Sequence, residues 1–141
     1  MVIDTSAIIA ILLGEPDSKI LAQTIASDSK RLMSAFSVLE SGIVIEARKG
    51  KAGGHEPDIL LLRTTIKVIS MDVAQTQLAR EAWRTYGKGN HPAALNIGDC
   101  CSYALAKHSG EPLLFKGNDF SLTDIPSVEL AAVQAKTLLL H

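Results

Sequence analysis

The sequence predicts an α/β protein whose sheet is mainly parallel and contains four or five strands. Short apolar segments alternate along the chain with longer segments whose apolar residues recur at helical spacing. Glycine, proline and capping residues separate these segments. Strands that alternate with helices favour parallel pairing through right-handed crossovers, so this alternation indicates the fold class.

The first half of the chain is predicted to contain two strands and three helices. Residues 1–3 form an apolar strand, and the apolar segment 7–13 reads as a short helix that Gly14 ends. A second helix opens with Pro16, because proline is tolerated in a first turn. Residues 31–33 form the second strand, after which Ser34 caps a third helix. The predicted buried stripe of that helix consists of Phe36, Leu39, Ile43 and Ala47.

The second half repeats the alternation. An apolar helix at residues 58–66 precedes a third strand at 67–70, and Asp72 then caps a helix that reaches about residue 86. Trp83 is expected to lie in the core. After a polar loop at 87–92, a helix at 97–108 is closed by Gly110. Residues 112–115 form the fourth strand, and 127–130 are a candidate fifth strand at an edge.

Composition limits the classes of function. The chain has 141 residues, 47% of them hydrophobic and 21% charged, which excludes a disordered protein. Its formal net charge is −1, so any binding of nucleic acid must depend on a local basic patch. No apolar stretch or leader indicates a membrane span or export, and we expect a cytoplasmic protein. The adjacent Cys100 and Cys101 are expected to be buried free thiols.

Four acidic residues are expected to meet at one edge of the sheet. Asp4 ends the first strand, Glu40 lies on the helix after the second, Asp99 lies in the first turn of helix 97–108, and Asp119 follows the fourth strand. Ligands of open α/β sheets bind at this edge. Gathered carboxylates repel one another without a cation, and oxygen ligands suit Mg²⁺ or Mn²⁺. Such ions activate water and stabilise charge on a phosphodiester.

Polar neighbours support this interpretation. Thr5 and Ser6 carry hydroxyl groups able to donate hydrogen bonds to a ligating carboxylate or a bound water, and Asn96 can cap the helix of Asp99 or orient a group behind the ligands. Other interpretations stay open. Asp99 also suits the positive end of a helix dipole. Glu40 is equally compatible with a solvated helix face and Asp119 with a turn, whereas an acid at the end of a buried strand, like Asp4, needs partners.

The order and spacing of these segments resemble a known family. The start M-V-I-D-T-S-A, the S-A-F-S-V-L-E segment that ends at Glu40, the L-N-I-G-D-C around Asp99 and the L-L-F-K-G-N-D-F around Asp119 are similar to PIN domains. Among PIN domains, they most resemble the VapC toxins of type II toxin–antitoxin systems. The resemblance extends from residue 1 to about residue 130.

The resemblance implies a single PIN-like domain over residues 1–141, built as an α/β/α sandwich. It implies an endoribonuclease that depends on Mg²⁺ or Mn²⁺ and hydrolyses RNA, leaving 5′-phosphate and 3′-hydroxyl ends. Asp4, Glu40 and Asp99 match the metal ligands of the family. Asp119 is carried over as the fourth acid, although many relatives place that acid where this chain has Gly117.

The resemblance also implies partners. Family members pair with a small antitoxin that blocks the acidic cleft, they commonly form homodimers, and transfer RNA is a common substrate. Residues 8–13 and 59–62 are the candidate contact surfaces, with a role in the core as the alternative. Arg48, Lys88 and Lys116 are the candidate RNA contacts, since they lie in basic segments or near Asp119; ordinary solvated charge is the alternative.

Two other functions are compatible with the same residues. A phosphatase or phospho-acceptor domain would use Asp4 as a nucleophile, but the phosphatase pattern needs a second aspartate where this chain has Ser6. A non-catalytic module would use the acidic cleft only to bind a protein partner.

Overall fold

The four strands of the sheet are all parallel. The computed structural model describes residues 1–131. The strands are β1 (Val2–Ile3), β2 (Leu32–Ser34), β3 (Lys67–Ile69) and β4 (Leu113–Leu114), in the spatial order β3-β2-β1-β4. The predicted fold class is therefore confirmed.

The described residues contain six α-helices and one short 3-10 helix. They are α1 (Thr5–Leu12), α2 (Ser18–Ala26), α3 (Ala35–Gly53), α4 (Glu56–Arg63), α5 (Val73–Tyr86), α6 (Ile97–Ser109) and the 3-10 helix Asp119–Leu122. Four of the α-helices begin at side-chain caps, in which Asp4, Ser34, Asp72 and Asn96 accept a backbone N–H. Asp4 directly follows β1, Ser34 is the last residue of β2 and Asp72 lies three residues after β3, so the starts of α1, α3 and α5 are fixed relative to the sheet.

The short strands separate two layers of core. Successive residues of a strand point to opposite faces of the sheet. Val2, Leu32 and Leu113 pack with residues of α5 and α6, whereas Ile3 packs on the other face with residues of α1, α2 and α4. Helices thus cover both faces, which gives the α/β/α arrangement.

Several element boundaries differ from the prediction. The expected fifth strand at 127–130 is reduced to one bridge between Leu113 and Ser127, where the Leu113 N–H donates to the Pro126 carbonyl and the Val128 N–H donates to the Leu113 carbonyl. Helix α1 begins two residues earlier than expected, since Asp4 caps it. Helix α3 continues to Gly53 across a kink at Gly50, whose φ of 77° suits glycine.

Two predictions of burial are wrong. The buried face of α3 is formed by Ser37, Ser41 and Ile45, whereas Leu39 and Ile43 are 60% and 59% exposed. Small hydroxyl residues allow α3 to approach α6 closely, which turns the larger apolar residues outward. Trp83 was expected in the core but is 51% exposed on α5.

The remaining sequence expectations concern thiols and membranes. Cys100 and Cys101 are free and buried, as expected, and burial raises the pKa of each thiol to about 11. Both thiols are therefore neutral at pH 7. Among residues 1–131, no helix combines the length and the apolar character needed to cross a bilayer.

Candidate active site

An acidic cleft lies at the carboxyl ends of β1 and β4. The chain adds β2 and β3 on one side of β1 and later places β4 on the other side. A crevice forms where the direction of winding reverses, and open α/β sheets bind ligands there. The crevice in this protein has a volume of about 500 Å³. Asp4 lies at its base because it directly follows β1.

Three of the four expected acids line this cleft. Its walls consist of Asp4, Thr5, Ser6, Ile9, Glu15, Glu40, Val44, Asn96, Asp99, Lys116 and Gly117. Asp119 starts the 3-10 helix, is exposed and does not line the cleft. Gly117, two residues before Asp119 and with a φ of 99°, lines the cleft instead. The cleft therefore brings together Asp4, Glu40 and Asp99, and Asp119 lies outside its lining.

One buried hydroxyl group and one backbone N–H hold the carboxylate of Asp4. One oxygen, Oδ1, accepts a hydrogen bond from the Ser102 hydroxyl at 2.5 Å, and Oδ2 accepts one from the Ser6 backbone N–H at 3.0 Å. Ser102 in turn lies 3.2 Å from the hydroxyl of Ser37. Asp4 is only 3% exposed, so these bonds fix its orientation. Sequence reasoning missed Ser102, although it lies three residues after Asp99 on one helical face.

Asp99 is fixed by a reciprocal cap. Its backbone N–H donates to the Asn96 side chain at 2.9 Å, and its own Oδ2 accepts the Asn96 N–H at 3.0 Å. Burial, together with the negative charges of Asp4, Asp119 and Glu40, raises the pKa of Asp99 from 3.8 to about 6. The negative charges of the other three acids therefore all raise the pKa of Asp99, even though Asp119 does not line the cleft.

The carboxylate of Glu40 rests on the backbone of Gly98. A Cβ atom added at Gly98 would lie 2.5 Å from Oε2 of Glu40 and 2.6 Å from its Oε1. Only glycine at this position leaves room for the carboxylate beside Asp99. Sequence reasoning missed Gly98, which looked like an ordinary residue of a helix start.

We predict that Gly98→Ala reduces RNA cleavage by about 10-fold while the protein stays folded. The added methyl displaces the flexible end of Glu40 and not a backbone atom, so the effect on stability is within about 1 kcal/mol. Cleavage rate and thermal unfolding of the variant test this. Gly42→Ala is the matched control, because a Cβ on that α3 glycine meets open space. Equal losses of activity in the two variants would contradict the assigned role of Gly98.

Lys116 enters the cleft beside the acids. Its backbone N–H donates to the Ser6 hydroxyl at 2.9 Å, and its ammonium forms ion pairs with Glu15 and, at 3.4 Å, with Asp17. The hydroxyl of Thr5 donates to the Ser37 carbonyl at 3.4 Å and not to a carboxylate. Ser6 therefore connects Asp4 to the loop of Lys116.

The other candidate contacts lie outside the cleft. Arg48 is exposed near the end of α3, and Lys88 follows α5. Of the two expected contact surfaces, α4 exposes 82% of Leu62. Ile8 of α1 is fully buried, but the end of α1 and part of α4 line one groove of about 360 Å³. This groove is lined by Ile11, Leu12, Glu56, Ile59, Leu60 and Arg63.

The donor set suits a hard divalent cation. Asp4, Glu40 and Asp99 offer only oxygen atoms, and the raised pKa of Asp99 reflects burial and repulsion that a cation would relieve. Within residues 1–131, no three acidic, histidine or cysteine side chains are already gathered closely enough to hold an ion. Mg²⁺ usually keeps several waters and binds directly to one or two carboxylates, so a partly water-mediated site fits these residues.

Comparison with known proteins places these features in a family. The model of the PIN domain family matches residues 1–126. The chain is 55% identical over 128 residues to Ribonuclease VapC of Mycolicibacterium smegmatis, covering 91% of this chain and 99% of that protein. It is 53% identical over 130 residues to Ribonuclease VapC30 of Mycobacterium tuberculosis, covering 92% and 99%.

Two solved structures share the fold at much lower sequence identity. The Mycobacterium tuberculosis VapC20 toxin, which cleaves the sarcin-ricin loop, matches with a TM-score of 0.75 and 17% identity over 92% of this chain and 98% of that one. A toxin–antitoxin complex from Klebsiella pneumoniae matches with a TM-score of 0.63 and 15% identity over 85% and 89%. These two structures support the fold.

Proposed function

The chain belongs to the PIN domain family and is an endoribonuclease of the toxin type, and from this premise we propose that a divalent metal ion in the acidic cleft is required for its activity. The single observation that carries the proposal is the meeting of Asp4, Glu40 and Asp99 in one cleft. The raised pKa of Asp99 supports it, because the electrostatic cost of these charges is what a cation would offset.

Asp4, Asp99 and Glu40 would hold Mg²⁺ or Mn²⁺. When bound, the ion would lower the pKa of a water molecule and stabilise negative charge on the phosphodiester. Asp4 is oriented for ligation by Ser102 and Ser6, and Asp99 by Asn96. We assign Asp4 and Asp99 to the main site. Glu40 would act through water or orient the attacking water, and Asp119 would support a second ion or the outer shell.

Lys116 would contact a phosphate of the RNA. It contributes a positive charge to a cleft whose acids repel the substrate. The ion pairs with Glu15 and Asp17 hold its side chain at the wall until a phosphate replaces them. Arg48 and Lys88 would extend the contact with the RNA backbone. Transfer RNA is the substrate class we propose to test first, and a cytoplasmic location follows from that substrate.

A cognate antitoxin would bind the groove between α1 and α4. Ile11, Leu12, Ile59 and Leu60 line this groove, and the neighbouring Leu62 is largely exposed, so an apolar helix face of a partner would bury them. A homodimer would in turn bury the exposed residues Leu39 and Ile43 of α3. Both assignments are proposals about surfaces outside the acidic cleft.

The phospho-acceptor alternative fits the site less well. A phosphatase of this kind needs a second aspartate two residues after the nucleophile, but this chain has Ser6 there, whose hydroxyl accepts the Lys116 N–H. The non-catalytic alternative conflicts with the relatives, which are ribonucleases at more than half identity.

We predict that the purified protein cleaves RNA only with Mg²⁺ or Mn²⁺ and leaves 5′-phosphate and 3′-hydroxyl ends. Transfer RNA is incubated with the protein in EDTA and with added Mn²⁺, and the ends of the fragments are sequenced with and without enzymatic removal of 5′-phosphate. Full activity in EDTA, or ends that carry a 2′,3′-cyclic phosphate, would reject the metal-dependent mechanism. Cleavage of another RNA but not transfer RNA would reject only the substrate.

A further inference from the structure

A second cavity, of about 500 Å³, opens between α5 and α6 and is not used by the mechanism. Its walls are largely apolar and include Phe36, Met71, Leu95 and Ile97, with Cys100 and Cys101 among them. Burial keeps both thiols protonated at neutral pH because it raises their pKa to about 11. The size and lining are those of a site for a small, mainly apolar or aromatic group. We refer to this cavity as the α5–α6 groove.

An indole ring forms part of the wall. Trp83 is the single tryptophan of the chain, and 51% of its surface is exposed. A Cβ atom at Gly87 would lie 2.6 Å from Cδ1 and 2.9 Å from Cγ of this ring. The backbone of Gly87 therefore supports the indole in a fixed place while half of it stays open. A supported, exposed aromatic ring is a stacking surface.

Basic side chains surround the same groove. Arg80, Arg84 and Lys88 are among its lining residues, and each lies four positions after the previous one. Arg80 and Arg84 lie one turn apart on α5, where like charges repel each other slightly, and Lys88 lies beyond the end of that helix. In the part of the chain that the structure describes, none of the three side chains forms a salt bridge or a side-chain hydrogen bond. They are available to bind anions.

The groove adjoins the acidic cleft. Asn96 lines both, and Cys100 in the groove directly follows Asp99 in the cleft. A polymer whose phosphate lies at the acids therefore has its neighbouring unit within reach of the groove. A nucleotide chain contains phosphates, which basic side chains attract, and planar bases, which can stack on an indole ring.

We propose that the α5–α6 groove binds an unpaired nucleobase of the RNA substrate, next to the bond that is cut. The base stacks on Trp83 between apolar walls, and the phosphates that flank it contact Arg80 and Arg84. This proposal rests on the proposed function, because it extends the same RNA from the acidic cleft. The basic surroundings favour RNA over an apolar helix of a protein partner. Bases that leave the stack in RNA loops are a common target of such aromatic sites.

Fluorescence of the single tryptophan tests the proposal directly. The Asp4→Asn variant in Mg²⁺ is titrated with single-stranded oligoadenylate of about ten nucleotides. The matched probe is an abasic ribose-phosphate oligomer of the same length. We expect oligoadenylate to quench the fluorescence in a saturable way and the abasic oligomer to bind about 10-fold more weakly without quenching. Variants without the tryptophan are followed instead by the anisotropy of end-labelled oligomers: Trp83→Leu is expected to remove the difference in affinity between the two oligomers, and Trp83→Phe to restore most of it.

The charged part of the site has its own control. Arg84→Gln is expected to weaken the binding of both oligomers to a similar degree, whereas Arg63→Gln, on α4, leaves both affinities unchanged. Binding of oligoadenylate without quenching, or an unchanged affinity in Trp83→Leu, overturns the proposal. A change in fluorescence with protein concentration alone, with a doubled mass that Trp83→Leu abolishes, shows that a second copy covers the groove and also overturns it.

The two proposals fail separately. Metal-dependent cleavage without base-dependent quenching rejects the groove but keeps the nuclease mechanism. Base-dependent quenching in a protein that cleaves RNA equally in EDTA keeps the groove and rejects the metal-dependent mechanism.

Discussion

Asparagine in place of Asp4 is expected to reduce the rate of RNA cleavage by about a thousand-fold, because it removes a charged ligand at the base of the cleft. The carboxylate is buried and held by Ser102 and by the backbone of Ser6, so no neighbouring side chain occupies the same place. The measurement is the rate of cleavage of a defined RNA at saturating Mn²⁺.

The Asp4→Asn variant is expected to fold. Asparagine is a good N-cap, so its amide oxygen still accepts the Ser6 N–H at the start of α1. Its amide nitrogen then faces Ser102, whose hydroxyl accepts from it and donates to Ser37, 3.2 Å away. Loss of cleavage therefore reports on charge and not on unfolding.

Asp72→Asn is the matched control for this experiment. Asp72 caps α5 in the same way, accepting the Gln75 N–H at 2.8 Å, but it does not line the cleft. The control should cleave RNA like the unmodified protein. Comparable activity in Asp4→Asn, or a comparable loss in Asp72→Asn, would contradict the assignment of Asp4.

Asp99→Asn is expected to change activity and stability in opposite directions. The charge needed at the cleft is lost, so cleavage falls by about a hundred-fold or more. The metal-free protein becomes more stable at pH 7, because the folded state no longer contains an ionised group whose pKa is raised to about 6. The asparagine oxygen still accepts the Asn96 N–H, so the helix cap is kept.

The gain in stability has a definite pH window. The folded pKa of Asp99, about 6, lies above the usual 3.8, so the folded state binds more protons between these values. The stability that Asp99 contributes is present below about pH 3.8 and is lost as the pH rises through 6. This difference in pKa corresponds to roughly 3 kcal/mol, and partial solvent exposure of the carboxyl reduces it to about 1–2 kcal/mol.

Denaturant unfolding in EDTA at pH 4.5 and pH 7 checks this window. The extra stability of the variant over the unmodified protein should be clearly smaller at pH 4.5 than at pH 7. Asp124→Asn provides the opposite control, since Lys107 and Tyr103 hydrogen bonds hold the pKa of that carboxyl below its usual value. The Asp124→Asn substitution should lower the free energy of unfolding at pH 7. A destabilising effect of Asp99→Asn at pH 7 would contradict the repulsion among the four acids.

Local patterns were sufficient to predict most of the fold. Apolar segments and caps such as Ser34, Asp72 and Asn96 mark strand ends and helix starts because these signals act within a few residues. The same logic placed Asp4 and Asp99 at one edge of the sheet, where the structure has its cleft. Residues at the ends of parallel strands can therefore be placed from the sequence, because right-handed crossovers fix which edge of the sheet they share.

Features that depend on distant packing were not accessible. Leu39 and Ile43 face solvent because the opposite side of α3 packs against α6, where Ser37 contacts Ser102. Helical spacing alone does not reveal which side of a helix packs against a distant helix. From the sequence alone, Trp83 is expected to be a core residue. In the structure its ring packs against the backbone of Gly87 and stays half exposed. The charge of Asp119 contributes to the raised pKa of Asp99, but Asp119 starts a 3-10 helix and does not line the cleft.

Direct binding of Mn²⁺ tests most clearly whether the acidic cleft is a metal site. Metal-free protein is titrated into Mn²⁺ at pH 7, and electron paramagnetic resonance measures the free ion. The unmodified protein should deplete the free Mn²⁺ signal, Asp72→Asn should do so equally, and Asp4→Asn and Asp99→Asn should bind at least about 10-fold more weakly. Equal binding by all four proteins, or no binding by the unmodified protein, would contradict a metal site built from Asp4, Glu40 and Asp99.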